Sequence, residues 1–259
     1  METLRTIHEL RSALGPRREG AAIGLVPTMG ALHAGHAALL GSARRECQVV
    51  VASVFVNPAQ FGDAADLAAY PSDLAADERL AAASGADILF APAAAELYPP
   101  GYATWIEPAG VAEGLEGEHR PGHFRGVATV CVKLFAIVAP TIAYFGRKDA
   151  QQVAVVKQVV RDLNIELEVR VVDTVREPDG LALSSRNRRL SPAERRRASA
   201  IPRALATGDP ERARAALSRA GIEADYVAVA DLDGPTLALA ARIGSTRLID
   251  NVRLEQRPA

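Results

Sequence analysis

Short, wholly apolar runs alternate with longer segments of helical period along the first two thirds of the chain. The run at 22–26 is apolar and stops at Pro27, and 49–56 (VVVASVFV) is apolar and mostly β-branched. Unbroken runs of that kind predict strands buried on both faces. Between and after them the spacing predicts helices over 36–46 and 74–84, the second stopped by Gly85, and a short strand at 87–90. A helix is expected over 129–138, apolar nearly all round and ended by Pro140. A strand at 141–145, a helix at 150–162 and a strand at 167–172 follow. Alanine richness across 64–95 favours helix. Strands and helices in this alternation imply parallel βαβ units and a doubly wound, Rossmann-like α/β sheet.

After Thr174 the pattern changes. Asp179-Gly180 marks a turn, and Ser191-Pro192-Ala193-Glu194 reads as a helix start, with a capping Ser, Pro at the first helical position and an acid at the third. Helical segments rich in Ala and Arg lead to an expected terminal strand pair at 226–229 and 246–251. The predicted division is therefore a first domain at 1–174 and a smaller C-terminal α+β domain at 175–259.

Composition narrows the class. The 259 residues are 49% hydrophobic and 24% charged, which excludes wholesale disorder. Lys and Arg number 30 against 31 Asp and Glu, a net charge of -1, so a nucleic-acid partner is not expected. No apolar run approaches the ~20 residues of a membrane span, and 1–10 lacks the apolar core of a secretory signal. Cys47 and Cys131 form no metal or redox pair in sequence, which fits a reducing compartment.

Four stretches can carry chemistry. Pro27-Thr28-Met29-Gly30-Ala31-Leu32-His33-Ala34-Gly35-His36 joins a predicted strand to a predicted helix, at the strand's carboxyl end where ligands bind. Its two glycines allow close backbone approach, and its two imidazoles can address an anion at the helix N-terminus. Read alone, an H-x-x-H pair is more often two surface histidines; the strand–loop–helix setting reverses those odds. Asn57-Pro58-Ala59-Gln60-Phe61-Gly62 follows the VVVASVFV strand and offers neutral amides for a hydroxyl- and carboxylate-bearing ligand, or is a plain turn. Gly146-Arg147-Lys148-Asp149-Ala150-Gln151-Gln152 enters a helix, with Lys148 a compact cation for phosphate, Asp149 a cap or ribose acceptor, and Gln152 on the first turn. Leu183-Ser184-Ser185-Arg186-Asn187 carries two hydroxyls and a guanidinium suited to clamping phosphate. The other arginines of 186–197 read as a solvated helix face. Tyr70-Pro71 and the stretch 119–126 (HRPGHFRG) read as loops and say little alone.

Three of the four lie at expected strand carboxyl ends and would converge on one phosphate-handling cleft lined by amides. The chain has no G-x-G-x-x-G, G-x-x-x-x-G-K-[ST] or G-x-S-x-G, so dehydrogenase, P-loop and α/β-hydrolase readings lose support. PTMGALHAGH, VNPAQFG, RPGHFRGVATV, FGRKDAQQ and LSSRN, in that order, resemble the blocks of the pantothenate synthetase (pantoate–β-alanine ligase) family of the HxGH nucleotidylyltransferase-like superfamily. A weaker echo stands at 246–251, TRLIDN.

That resemblance implies ATP-dependent ligation of pantoate and β-alanine through a pantoyl adenylate, with AMP and pyrophosphate released. It implies an ATP site of Met29, Gly30, Ala31, Leu32, His33, Ala34, Gly35 and His36, completed by Gly146, Arg147, Lys148, Asp149, Val175, Leu183, Ser184, Ser185 and Arg186. Catalysis would fall to His33, His36, Lys148 and Arg186. Gln60, Gln152 and Asn57 would hold pantoate, and Gln60 also β-alanine. Magnesium is implied, with Asp77 its nearest candidate ligand, as are a cytoplasmic location and a homodimer. The first domain would bind nucleotide and pantoate, and the second would act as a lid. This sequence departs from the family pattern at Arg147, where an acid is usual, at Ala150, where an aromatic is common, and at Tyr70-Pro71-Ser72-Asp73, which lacks a basic residue. The C-terminal domain is also short after Thr207. Two other readings are another HxGH nucleotidylyltransferase, against which the neutral Gln60 and Gln152 argue, and a degenerate nucleotide-binding protein, against which the intact His, Lys, Ser and Arg residues argue.

Overall fold

A computed structural model describes residues 1–62 and 67–254. Part of the expected alanine-rich region, at 64–66, lies outside them. The chain forms two compact units, Met1–Phe145 with Val155–Val172, and Gly146–Ala154 with Asp173–Ala259. The second unit thus takes in Gly146–Ala154, which the sequence places in the first domain.

The first unit is built on β1 (Glu2–Leu4), β2 (Ile23–Thr28), β3 (Val49–Val54), β4 (Ile88–Phe90), β5 (Ile142–Gly146) and β6 (Glu168–Val172). Their order is β1-β4-β3-β2-β5-β6, with parallel pairing of β1 to β4, β4 to β3, β3 to β2 and β2 to β5. The order reverses at β2, which has β3 on one side and β5 on the other, so the carboxyl edge of β2 is where a ligand is sought. The helices are α1 (Ile7–Leu14), α2 (Ala34–Glu46), α3 (Leu74–Ala83), α4 (Ala94–Leu97), α5 (Leu115–His119) and α6 (His123–Val138), with α7 (Ala150–Asp162) continuing across the unit boundary. One core cluster packs Leu39, Leu40 and Ala43 of α2 against Val26, Val50, Ala52, Leu89 and Tyr144 of the sheet. Full burial of side chains of this size contributes about 1.5–3 kcal/mol each.

Several boundaries differ from expectation for local reasons. α6 begins at His123, not 129, because Gly122 at φ 77 turns the chain into it. It ends as expected before Pro140, where Ala139 adopts φ 43 and Arg18 donates to the carbonyls of Val138 and Ala139 at 2.7 and 3.1 Å. The unpredicted α1 carries a readable signature, a reciprocal cap between Thr6 and Glu9.

The second unit contains α8 (Pro192–Ala198), α9 (Ala200–Leu205), α10 (Pro210–Arg219) and a three-stranded antiparallel sheet of β7 (Glu223–Asp231), β8 (Pro235–Ile243) and β9 (Thr246–Arg253). The predicted terminal pair is separated by β8, which pairs with both. β8 (PTLALAARI) is Leu- and Ala-rich, a helix-favouring composition. Its central position, with Leu237, Leu239, Ala241 and Ile243 fully buried against Ile201, Leu205 and Leu217, overrides that preference. α8 begins with the expected Ser191–Glu194 capping box.

Candidate active site

The loop 29–36 leaves β2 and is fastened at every polar step. The Thr28 hydroxyl donates to the Ser53 carbonyl at 2.6 Å and accepts from the Gly30 amide at 3.2 Å. Gly30 sits at φ 85, and a Cβ there would lie 2.9 Å from Asp77 Oδ2, so this position admits only glycine. The Asp77 carboxylate, 2% exposed on the first turn of α3, accepts the backbone N–H groups of Ala31 at 3.0 Å and Leu32 at 2.7 Å. Asp77 therefore holds the loop. Each of its oxygens accepts one amide, a structural use beside the magnesium role expected of it.

His33 is the N-cap of α2 and His36 its third residue. Nδ1 of His33 accepts the Gly35 amide at 3.1 Å, and Nδ1 of His36 accepts the His33 amide at 3.2 Å. The rings lie 4.2 Å apart, tilted by 36°. Ser, Thr, Asp and Asn are the usual residues in this role, so imidazole capping is itself a departure from ordinary helix starts. An Nδ1 that accepts carries no hydrogen, which places the ring hydrogen of each neutral imidazole on Nε2. The two caps thus fix the tautomer that makes each histidine a donor through Nε2. A Cβ at Gly35 would lie 2.8 Å from Cε1 of His33, so a larger residue there would displace the capping ring.

After β3, Asn57 caps the turn Pro58–Gln60. It is 1% exposed, and its amide donates to Gln60 Oε1 at 3.0 Å and to the Gly126 carbonyl at 3.1 Å while accepting from the Ala59 amide at 3.2 Å. Asn57, expected to contact pantoate, thus orients Gln60 in this structure. Gln60 is left with its nitrogen directed at Met29 Sδ, 2.9 Å away. A thioether is a weak acceptor that a ligand oxygen can replace.

The stretch read as an uninformative loop supports the same turn. His123 Nε2 faces the Arg120 guanidinium at 3.1 Å, which can only donate, so Nδ1–H of His123 donates to the Gln60 carbonyl at 3.1 Å. Gly126 packs against the turn so closely that a Cβ would meet the Ala59 carbonyl oxygen at 2.3 Å. The periodicity of 123–138 gives no sign of these contacts; only the fold brings residue 126 to residue 59.

In the second unit Lys148 lies in the turn Arg147–Asp149 with 18% of its side chain exposed, 3.6 Å from the Asp149 carboxylate. The departing residue Arg147 is met by two acids, Asp173 at 3.3 Å and Asp233 at 3.9 Å. Gln152 is half-buried on the first turn of α7, beside the buried Gln151. Val175 accepts the Leu183 amide through its carbonyl at 3.0 Å, making a hairpin over 175–183. The Ser184 hydroxyl accepts the Arg186 amide at 3.3 Å and starts the turn Ser185–Arg189. Asn187 ties that turn back to Glu177 at 2.8 Å and to the Ala182 carbonyl at 3.0 Å. Arg195, expected on a solvated face, instead grips Glu177 at 2.6 Å and Asp179 at 2.5 Å. Its hydrogen bonds hold the Asp179 carboxyl below the usual carboxylate range.

A model of the family described as pantoate–β-alanine ligase matches residues 2–253. The chain belongs to that family. It is 50% identical over 280 residues to a pantothenate synthetase of Moorella thermoacetica, covering 98% of this chain and 99% of the relative. It is also 50% identical over 283 residues to one of Rhizorhabdus wittichii, with both chains covered in full. Those 283 aligned positions exceed this chain's 259 residues, so that family member carries positions this chain lacks. The solved pantothenate synthetase of Thermus thermophilus superposes with a TM-score of 0.90 at 46% identity, covering 98% of this chain and 99% of that one. A pantoate–β-alanine ligase of Francisella tularensis, solved with βγ-ATP and β-alanine, gives a TM-score of 0.89 at 38% identity, with 98% and 97% covered.

The doubly wound parallel sheet with a smaller C-terminal α+β region is the family's architecture. No group of three or more His, Cys, Asp or Glu that could hold a metal ion is found among the described residues. Among the described residues no helix is long and apolar enough to cross a membrane.

Proposed function

We propose that this protein joins pantoate to β-alanine at the expense of ATP, through a pantoyl adenylate, releasing AMP and pyrophosphate. The observation that carries the reading is the reciprocal capping of α2 by His33 and His36, within a chain matched by the ligase family from residue 2 to 253. It gives two Nε2–H donors of fixed tautomer at the carboxyl edge of β2, suited to the phosphates of ATP and to charge on the departing pyrophosphate. Lys148 and Arg186 are assigned to the same nucleotide, with Gly146, Arg147, Asp149, Val175, Leu183, Ser184 and Ser185 lining its site. Family membership favours the ligase over another HxGH nucleotidylyltransferase, which would transfer the nucleotide to a phosphate.

Pantoate's carboxyl has an ordinary pKa near 4, so it is already an anion at neutral pH and attacks the α-phosphate without a base. The chain's task is alignment and charge neutralisation. Gln60 presents a donor amide to an oxygen of pantoate, with Met29 Sδ as the partner it leaves. Gln152 is assigned to pantoate, and Gln60 also to β-alanine. In the second step the deprotonated amine attacks the acyl carbonyl, the C–N bond forms, the acyl–oxygen bond breaks, and AMP departs. Magnesium would arrive on the nucleotide's phosphates. A cytoplasmic homodimer is part of the same proposal, and light scattering on the purified chain tests the dimer.

The decisive test is exchange of labelled pyrophosphate into ATP with pantoate present and β-alanine absent. The adenylate path gives exchange, and His36→Ala suppresses it in a protein that remains folded. Exchange that strictly requires β-alanine would replace the adenylate with a concerted reaction. A wild-type chain that forms no pantothenate would be a degenerate nucleotide binder.

A further inference from the structure

The dipeptide Asp250-Asn251 near the end of β9 is buried, with 2% and 4% exposure, and the reading of the site so far gives it no role. The Asn251 side-chain nitrogen donates to two consecutive carbonyls, Arg147 and Lys148, both at 2.9 Å. Two carbonyls demand a donor, so the amide has only this orientation. Its Oδ1 is buried with no hydrogen-bond partner, an arrangement that fold stability alone does not favour.

One residue earlier, Asp250 takes a two-pronged bond from Arg176, Nη1 to Oδ2 at 2.7 Å and Nη2 to Oδ1 at 3.1 Å. Asp250 Oδ1 also accepts the Asn251 amide at 2.8 Å, and the Asn251 carbonyl accepts from Arg176 at 3.2 Å. Arg176 belongs to the hairpin that delivers Ser184, Ser185 and Arg186, bridging to Ala182 and donating to the Gly180 carbonyl at 2.9 Å. All of these residues lie in one compact unit.

We infer that Asp250 and Asn251 are positioning residues that tie the Lys148 turn to the Arg186 hairpin, so that the two cations act on the ATP phosphates as one clamp. The inference rests on the assignment of Lys148 and Arg186 to phosphate. A side chain whose turn is anchored at its own carbonyl and the one before keeps its stem direction. Arg176, joined by two hydrogen bonds to Asp250, carries the same reference to the hairpin. Neither residue touches the nucleotide; each acts through the segment it holds.

Asn251→Asp is close to isosteric and puts an acceptor opposite both carbonyls. Alone it is expected to lower kcat/KM for ATP on the order of 10²-fold, the loss that follows a misplacement of about 1 Å, with KM for pantoate unchanged. Lys148→Ala is expected to lower turnover about 10²–10³-fold, and adding Asn251→Asp to it costs little more. Equal losses for ATP and pantoate, or the full loss repeated in the Lys148→Ala background, would overturn the inference. If circular dichroism shows Asn251→Asp unfolded, Asn251→Ser, which keeps one donor, is judged by the same two criteria. Binding separates this from the ligase reading. Absence of pantothenate from the wild type sinks the reaction alone, and the tie is then judged by whether Asn251→Asp weakens ATP while sparing adenosine, which has no phosphate to clamp. Equal weakening of both would sink the tie.

Discussion

Two loops of this protein are fastened by opposite chemistry. In the loop 29–36 a buried carboxylate, Asp77, takes two amide N–H groups; in the turn Arg147–Asp149 a buried amide, Asn251, gives to two carbonyls. The difference decides which backbone groups each loop has already used. Asp77 uses up two N–H groups of loop 29–36, whose side-chain donors are the Nε2–H groups of His33 and His36. Asn251 uses up carbonyls and makes no demand on the N–H side of its turn, where Lys148 adds an ammonium. A carboxylate behind one loop and an amide behind the other thus leave different donors, imidazole N–H groups in the first and an ammonium in the second.

The largest break in that comparison is expected from Asp77→Ala. It strips a charged acceptor from two buried N–H groups, which costs about 2–4 kcal/mol of stability. Asn251→Ala should cost less, because a carbonyl short of one partner is better tolerated than an orphaned buried N–H. Urea unfolding of both variants measures the order. Equal losses would mean that Asp77 contributes packing rather than acceptor capacity.

The next effect is smaller and concerns the neighbouring turn. Gln60→Ala removes a polar partner from pantoate and should weaken its handling by about 1–3 kcal/mol, leaving ATP affinity near normal. Asn57→Ala should reproduce part of that loss without touching substrate, since it frees Gln60 Oε1 and lets the amide turn. Separate KM values for pantoate and ATP check both. An Asn57→Ala variant with normal pantoate KM would show that Met29 alone suffices to orient Gln60.

How much of this can be read from sequence follows the same line. The strands of the first unit are legible because burial on both faces leaves an unbroken apolar run, as in VVVASV. β8 is not, because Leu and Ala at alternating positions carry a helix-favouring composition until neighbouring strands bury them. The chemistry-bearing loops are legible as ordered blocks. Their supports are not: Asp77, Asn251 and Gly126 act on residues 45 or more positions away, and no local spacing encodes those partners. Asn57 shows a further use that spacing does not announce: from within its block it orients Gln60.

The smallest expected effect tests whether the hairpin that carries Arg186 is held electrostatically. Asp179 receives hydrogen bonds from Arg195 at 2.5 and 2.9 Å and from the Leu181 amide at 3.2 Å. These favour its charged form, first among them the Arg195 bonds, and depress its folded pKa below the ordinary carboxylate value near 4. A depressed folded pKa means that the unfolded chain takes up the proton first as pH falls. The contribution to stability is therefore complete above about pH 5 and disappears as pH drops through the folded value. Both side chains are partly exposed, 27% for Arg195 and 37% for Asp179, so the effect is screened and small. Asp179→Asn cannot titrate. Its unfolding free energy should fall less steeply than the parent's between about pH 5 and pH 3, and this difference should shrink in high salt. Parallel slopes for the two proteins would show that the Arg195–Asp179 pair is a geometric contact without electrostatic weight.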